Sequence, residues 1–332
     1  MRAPEFWNRP ASQFSLQSWV LGPLGRIYGA LTARRVAQPP EYSANVPVVC
    51  IGNINVGGTG KTPTTIALAQ DLIDRGYDVH IVSRGYGGTF KGTFEVEPAY
   101  HSAKLVGDEP LLMAAFSRVW VTENRADGVR AAEGAGAHVV LLDDGFQDPS
   151  VRKHLSIVVV GAKYGFGNGK CLPAGPLREP VHAGLRRADI ILSIGDKTDQ
   201  QKFQSMTTLP PALLHLIGEL APLETGMDWR DGPYIAFAGI GDPEKFFQTL
   251  RSLGAELLRT EALDDHQTLT PTLIKRLLSE ARQAGAQLVT TEKDAVRLPP
   301  EFRGDVIALP VRLSIENFDA LLDQLLPLLP KR

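Results

Sequence analysis

Cysteine is nearly missing: Cys50 and Cys171 are the two thiols in 332 residues. They are far apart and in no Cys-x-x-Cys spacing, which excludes a disulfide-stapled scaffold and a zinc framework and points to a reducing compartment. No uninterrupted apolar run reaches the roughly 18 to 20 residues that a spanning helix needs, because Arg26 and Arg34 break the best candidate. A secretory signal peptide is not predicted either, since the apolar part starts late and no small-residue cleavage site follows it. A large excess of charge is missing too, the net being -2, so no nucleic-acid partner is expected. What remains is the mix of a folded soluble protein, 43% hydrophobic and 22% charged, at a length that suggests two domains.

The charge that is present is unevenly placed. Residues 1–35 carry Arg2, Arg9, Arg26, Arg34 and Arg35 against Glu5 alone. A short helix is predicted from Pro23 to Val36, with the proline in its first turn. Val20, Leu24, Ile27 and Leu31 recur at helical spacing, Leu21 and Tyr28 widen the stripe, and Arg26 projects to the opposite side. Trp7, Phe14 and Trp19 lie upstream. Aromatics, an apolar stripe and arginines are the components of a helix lying in a membrane interface, and a helix packed on the protein's own core fits the pattern equally well.

After Pro39-Pro40, Val46 to Ile51 reads as a short buried strand with Pro47 near its start. It runs into Gly52-Asn53-Ile54-Asn55-Val56-Gly57-Gly58-Thr59-Gly60-Lys61-Thr62 and then a helical pattern from Thr64 to Arg75. Strand, glycine-rich loop and helix in that order make a P-loop. Asn55, Val56, Gly57, Gly58, Thr59, Gly60, Lys61 and Thr62 are the expected nucleotide contacts. Backbone N–H groups turn inward around the phosphates of ATP, Lys61 adds a charge, and the Thr62 hydroxyl holds Mg²⁺. Asn55 replaces the usual first glycine and is expected to take the left-handed backbone that asparagine tolerates. A partition-type P-loop ATPase switch is the alternative function; its signature lysine would fall at Val56, where it is absent.

P-loop chemistry also needs an acid at the end of a neighbouring strand, and Val139 to Leu142 ends in Asp143-Asp144. Adjacent strand residues point to opposite faces, so one carboxylate is expected to serve Mg²⁺ and the other water, structure or catalysis. Further strands are predicted at 79–83, 119–121, 156–160 and 189–194, alternating with helical patterns. That alternation predicts an α/β fold, a doubly wound parallel sheet of P-loop NTPase type, with the site at the strand ends beside the P-loop. Three loops there carry chemistry: 83–87 with Arg84, 106–110 with Asp108, and 175–180 with Arg178 and Glu179. Asp108 is both a candidate catalytic acid and a candidate cap for the helix starting at Glu109-Pro110. Arg84 and Arg178 are candidate substrate or phosphate contacts, or plain surface charge.

The pattern restarts after a boundary near 227–232. Strands at 234–241, 256–259, 287–291 and 306–310 and helices at 243–253, 271–284 and 316–329 predict a second, smaller α/β domain. The expected division is 1–40 as an N-terminal helical segment, 41–228 as the nucleotide-binding core and 229–332 as the smaller domain. Two polar knots stand out there, Asp264-Asp265-His266-Gln267 and Thr290-Thr291-Glu292-Lys293-Asp294. The second does not match the guanine-reading Asn/Thr-Lys-x-Asp pattern, which favours ATP.

Taken together, Gly52–Pro63, Ser83–Gly87, Val106–Pro110, Asp143–Gln147, Pro176–Pro180, Asp265–Gln267 and Thr291–Ala295 resemble, in order and over nearly the whole chain, the tetraacyldisaccharide 4'-kinase family of lipid A biosynthesis. The resemblance implies an ATP- and Mg²⁺-dependent lipid kinase that phosphorylates the 4'-hydroxyl of tetraacyldisaccharide 1-phosphate to give lipid IVA. It implies work at the cytoplasmic face of a bacterial inner membrane, with a membrane-embedded glycolipid as substrate, the membrane surface as partner and no obligate protein partner. It resolves the N-terminal helix towards an amphipathic, membrane-associated one. It also implies Asp108 as base for the sugar hydroxyl, His266 as its partner across a cleft, and Thr62 with Asp143, Asp144 and Glu179 around Mg²⁺.

Overall fold

Alternating strands and helices assemble two sheets in the computed structural model, which describes residues 4–10 and 13–331. The strands are β1 Val48–Gly52, β2 Val79–Ser83, β3 Thr93–Glu95, β4 Arg118–Thr122, β5 Val139–Asp143, β6 Leu155–Gly161, β7 Ile190–Ile194, β8 Leu214–Pro222, β9 Pro233–Ala238, β10 Glu256–Ala262, β11 Gln287–Thr291, β12 Val306–Leu309 and β13 Val311–Ile315. The large sheet has the order β13-β8-β7-β6-β1-β5-β2-β4-β3. Its neighbours are parallel except at the two edges, where β13 runs antiparallel to β8 and β3 to β4.

Side chains alternate between two cores. Val49, Ile51 and Leu141 meet Ile66, Leu68 and Leu72 of the helix Lys61–Asp74 on one face, and Val48, Cys50 and Leu142 meet Ala126 and Val129 of the helix Arg125–Gly134 on the other. Coverage on both faces is why β1 and β5 read as unbroken apolar runs. Each Val, Leu or Ile buried in this way contributes about 1.5–3 kcal/mol. The small sheet, β10-β9-β11-β12, is parallel throughout. The helix Pro243–Ser252 starts from an Asp242 cap and buries Phe246, Phe247 and Leu250 on one face. The helix Pro271–Gln283 starts from a Thr270 cap and buries Ile274, Leu277 and Ala281 on the other.

The C-terminal segment corrects one expectation. The helix placed at 316–329 does not complete the smaller unit: Phe318–Leu325 buries Leu321, Leu322 and Leu325 in the core of the large sheet. Pro310 alone separates β12 in the small sheet from β13 in the large one, and the strand predicted at 306–310 stops at that crossing. The chain therefore crosses between sheets twice, at 223–232 and at Pro310, and the crossings are joined where the Leu223 N–H donates to the Pro310 carbonyl at 2.9 Å. The sequence pattern does not predict β3, β8 or β13, whose burial is partial and interrupted.

Near the N-terminus, helices Leu16–Val20 and Gly22–Val36 lie on the protein by an unexpected face. Gly25, Gly29 and Thr32 are the buried residues of the second helix. A Cβ on Gly25 would come 2.8 Å from the Cys171 carbonyl oxygen, which the backbone cannot easily yield, and one on Gly29 would crowd Cys171 Sγ at 3.2 Å, so glycine at 25 permits this approach. The apolar stripe points away from the core, with Leu24 53%, Ile27 57% and Leu31 63% exposed. Among the described residues no helix is long and apolar enough to cross a membrane.

Candidate active site

The loop leaving β1 is held open by its own side chains and by the segment 171–178. Asn53 Nδ2 donates to Thr59 Oγ1 at 3.2 Å and to the Gly57 carbonyl at 3.4 Å. Gly60 takes φ 98° at the helix start, a backbone that favours glycine, and a Cβ there would also push on Ile194 Cδ1 at 2.5 Å. Among the described residues the N–H groups of Gly57, Gly58, Thr59 and Gly60 donate to nothing. Together with the first turn of the helix Lys61–Asp74 they form a concave set of donors with a positive dipole end, suited to phosphate oxygens.

Two of the expected contacts behave differently. Asn55 is not left-handed; the described non-glycine residues with positive φ are Asp144, His266 and Asn317. It forms an antiparallel bridge with Leu177, and its Nδ2 donates to the Gly165 carbonyl at 2.9 Å. Asparagine serves here as a tether in extended backbone, where no glycine is needed. The Val56 N–H is likewise taken, by the Pro176 carbonyl at 2.8 Å, so the free donors begin at Gly57.

β5 delivers the two carboxylates. Asp143 is 3% exposed; its Oδ2 accepts from Ser83 Oγ at 3.0 Å, and its Oδ1 has no partner among the described residues. Burial, with Glu109 and Asp144 nearby, pushes its carboxyl up to about 7. Asp144 takes the left-handed turn after the strand, at φ 52°. It lies 3.7 Å from Lys61 Nζ and accepts from Arg178 Nη1 at 2.9 and 3.1 Å. Burial raises this carboxyl, but Lys61, Arg178 and Arg125 outweigh burial and hold it below the usual range. Because the strand ends at Asp143, alternation no longer separates the pair, and the charge of Lys61 acts on both.

Arg125, which the sequence reading did not single out, fastens this turn by donating to the Asp143 and Asp144 carbonyls and to Asp148. Glu179 is drawn elsewhere. Both its oxygens lie 2.6 Å from Arg187 Nη2, and Oε1 also accepts from Gln147. No group of three or more His, Cys, Asp or Glu that could hold a metal is assembled among the described residues. The donors present nevertheless fit Mg²⁺, which takes one or two carboxylates and completes its shell with water and phosphate oxygens. The unpartnered Asp143 Oδ1, in a carboxyl raised by buried negative charge, is the atom a dication would relieve.

Asp108 and His266 meet although 158 positions separate them: His266 Nδ1 lies 2.9 Å from Asp108 Oδ2. Asp108 is the first residue of the helix Asp108–Met113, and among the described residues no side-chain hydrogen bond caps that helix. The capping alternative is therefore not realised. That helix packs in the same core as the helix Lys61–Asp74, through Leu111 and Leu68, and Glu109 is near enough to Asp143 to raise it. His266 comes from the loop after β10, at φ 58° with its N–H on the Gly239 carbonyl. Its Nε2 is 3.4 Å from Lys293 Nζ, which reaches Glu109 Oε1 at 3.3 Å. Tyr86, 83% exposed, stands 6.4 Å from the imidazole ring. Arg84 is exposed and pairs with nothing among the described residues.

Lys293 and Arg297 are also additions to the sequence reading. The first lies within the polar knot already noted at 290–294, and the second follows Asp294 at the i,i+3 spacing of a helical pair. A surface groove lined by Tyr77, Asp78, Glu95, Phe116 and Arg118 opens at the other end of β2 and β4 and contains none of these groups.

Comparison with known proteins gives a consistent result. A family model described as tetraacyldisaccharide-1-P 4'-kinase (LpxK) matches residues 17–327. The chain is 56% identical over 335 residues to a tetraacyldisaccharide 4'-kinase of Dinoroseobacter shibae, covering 98% of each chain. It is 57% identical over 321 residues to the Jannaschia sp. enzyme of the same name, covering 97% of each. Among solved structures it is similar to "apo" form LpxK from Aquifex aeolicus in complex with ATP, with a TM-score of 0.77 and 27% identity over 95% of this chain and 100% of that one.

Proposed function

The chain belongs to the tetraacyldisaccharide 4'-kinase family, and on that premise we propose how its own residues perform the transfer. It is an ATP-dependent kinase that moves a phosphate from ATP to a lipid A precursor. The acceptor is the 4'-hydroxyl of tetraacyldisaccharide 1-phosphate and the product is lipid IVA. The carrying observation is the 2.9 Å contact between Asp108, next to the P-loop helix, and His266 from the other sheet.

The sugar hydroxyl oxygen bonds to the γ-phosphorus as the bond from that phosphorus to the β,γ-bridging oxygen breaks. The electron pair leaves with ADP, and the hydroxyl proton passes to the Asp108 carboxylate. His266 Nδ1 orients the carboxylate for that step. Such a transfer asks the protein for position and charge more than for covalent chemistry. The free N–H groups from Gly57 to Gly60 and the Lys61 ammonium hold the phosphates. Thr62 with Asp143, and Asp144 through water, would hold Mg²⁺, which neutralises charge developing on the phosphates. Glu179 acts at one remove, fixing Gln147 and Arg187 behind Asp144. Arg178 steers Asp144, and the exposed Arg84 is free to meet the lipid headgroup.

We place the working division between the two sheets, with 223–232 and Pro310 as the crossings and the Asp108–His266 contact as the closed face of the cleft. The N-terminal helices dock the protein on the cytoplasmic face of the inner membrane. Support comes from Phe14, Leu16, Trp19, Leu24, Ile27 and Leu31, each more than half exposed on one segment, with Arg26, Arg34 and Arg35 exposed beside them. Such a helix lies in the interface with its apolar side among the acyl chains, which brings the cleft to a substrate that stays in the bilayer.

The test is purified protein with Mg²⁺-ATP and tetraacyldisaccharide 1-phosphate in mixed micelles, followed by mass spectrometry. A gain of one phosphate on the lipid that disappears in Asp108→Ala supports the reading. ATP hydrolysis without lipid and no phosphate gain would favour a P-loop ATPase switch instead.

A further inference from the structure

One buried guanidinium stands where the two sheets meet and has no part in the scheme above. The Arg297 side chain is 6% exposed, and its Nε lies 3.4 Å from Asp108 Oδ2, the same oxygen that faces His266 Nδ1. That approach lacks hydrogen-bond alignment, so it acts as an ion pair. The other nitrogens are anchored on the segments that carry His266. Nη1 donates to the Gln267 carbonyl at 3.1 Å, and Nη2 donates to the Gly239 carbonyl at 3.0 Å and to Asp294. Gly239 is also where the His266 N–H is bound. Asp294, fully buried, takes the Gly239 N–H and the Thr291 hydroxyl besides. Asp108 Oδ1 has no hydrogen bond or ion pair among the described residues.

We infer that Arg297 is a positioning residue for the transfer step: it fixes Asp108 through Oδ2 and fixes the loop of His266 through two carbonyls, so that Oδ1 alone is presented to the acceptor hydroxyl. The inference rests on Asp108 as the base. A planar fork with donors at set angles can hold a carboxylate and two carbonyls at once, which the point charge of a lysine cannot. His266 alone leaves the carboxylate free to swing about one contact. With the guanidinium present, the same oxygen is held from two directions, both from the far side of the cleft. Closing the cleft therefore sets the base, and opening it releases the base.

The test uses the full-length protein in the micelle assay with Arg297→Gln, Arg297→Lys and each change combined with Asp108→Ala. Arg297→Gln should lower kcat about a hundredfold, the scale of a misplaced reacting group, with the KM for ATP unchanged. Arg297→Lys should recover part of that loss. Because the guanidinium works through Asp108, Arg297→Gln should leave the residual turnover of Asp108→Ala unchanged. Removing Arg297 strands the buried Asp294 charge, so Asp294→Asn/Arg297→Gln repeats the measurement in a protein without the buried pair and should show the same kcat loss. Wild-type kcat in that double variant, or losses that multiply with Asp108→Ala, would overturn the role of Arg297 and leave the base assignment standing. Full turnover in Asp108→Ala would instead overturn the base assignment.

Discussion

The nucleotide half of the cleft and the acceptor half are built on opposite plans. Lys61 opens the helix that follows β1, and Asp143 and Asp144 end the adjacent β5, so one sheet brings all three together and Lys61 pairs with Asp144. Asp108 and His266 come from different sheets and meet with the imidazole 37% exposed. The first half is held rigid through Asp144, which Lys61 and Arg178 compensate, while Asp143 keeps one oxygen for a cation. The second exists only while the two sheets are close, so it is the half that substrate binding can complete.

The largest effects should separate the halves. Asp108→Ala should cut turnover by about 10²–10⁴, the range for a general base, and leave ATP affinity as it was. Lys61→Ala should damage turnover and ATP affinity together, because its ammonium serves the phosphates in ground and transition states alike. Steady-state kinetics against both substrates, with nucleotide binding measured separately, reads the difference. Equal and mild losses in the two variants would erase the distinction.

Asp143 sharpens it through stability. An ordinary carboxyl ionises near 4, whereas Asp143 in the folded chain is pushed up to about 7. Between those values the unfolded chain has lost a proton that the folded chain retains. This group's contribution to stability is therefore present below about pH 4 and is lost as the pH rises through about 7. Asp143→Asn should abolish most activity, yet without nucleotide or Mg²⁺ it should melt above the wild type at about pH 8 and converge with it towards about pH 4. Calorimetry across that window decides it, and a variant less stable than wild type at the alkaline end would refute the placement of an uncompensated carboxylate.

The two halves were also unequally legible in sequence. The P-loop, its helix and the acidic end of β5 are contiguous motifs, and strands buried on both faces give runs of apolar residues that local pattern detects. The family resemblance, not spacing, paired Asp108 with His266, because nothing local in either segment encodes a partner 158 positions away. Beyond its local pair with Asp294, the role of Arg297 was invisible for the same reason, its other partners being carbonyls at 239 and 267 and a carboxylate at 108. The edge strand β13 was not predicted, and spacing alone left open what the stripe of Leu24, Ile27 and Leu31 faces. Periodicity fixes which residues share a face and does not say what covers that face.

A third effect tests the acceptor half through the surface that presents its substrate. Leu24→Ser/Ile27→Ser/Leu31→Ser removes three exposed apolar side chains and touches neither the Gly25–Gly29–Thr32 packing face nor the cleft. At about 1.5–3 kcal/mol per side chain transferred into acyl chains, binding to anionic vesicles should fall steeply in sedimentation. Phosphorylation of vesicle-borne lipid should fall with it, while nucleotide binding stays as in the wild type. Unchanged sedimentation would assign the patch to something other than a bilayer.

The smallest effect belongs to the nucleotide half and asks whether its departure from the usual P-loop is functional or structural. Asn55→Gly installs the customary glycine, and since residue 55 is already in extended backbone, no strain is relieved. What is lost is the hydrogen bond from Nδ2 to the Gly165 carbonyl, about 1 kcal/mol, with a similar entropic cost from the more flexible residue. Chemical denaturation should register a loss of up to about 2 kcal/mol from the two together, with ATP affinity and kcat nearly unmoved, because the free phosphate donors begin two residues later at Gly57. A large fall in ATP affinity would instead place the Asn55 side chain in the nucleotide site and extend the rigid half of the cleft by one residue.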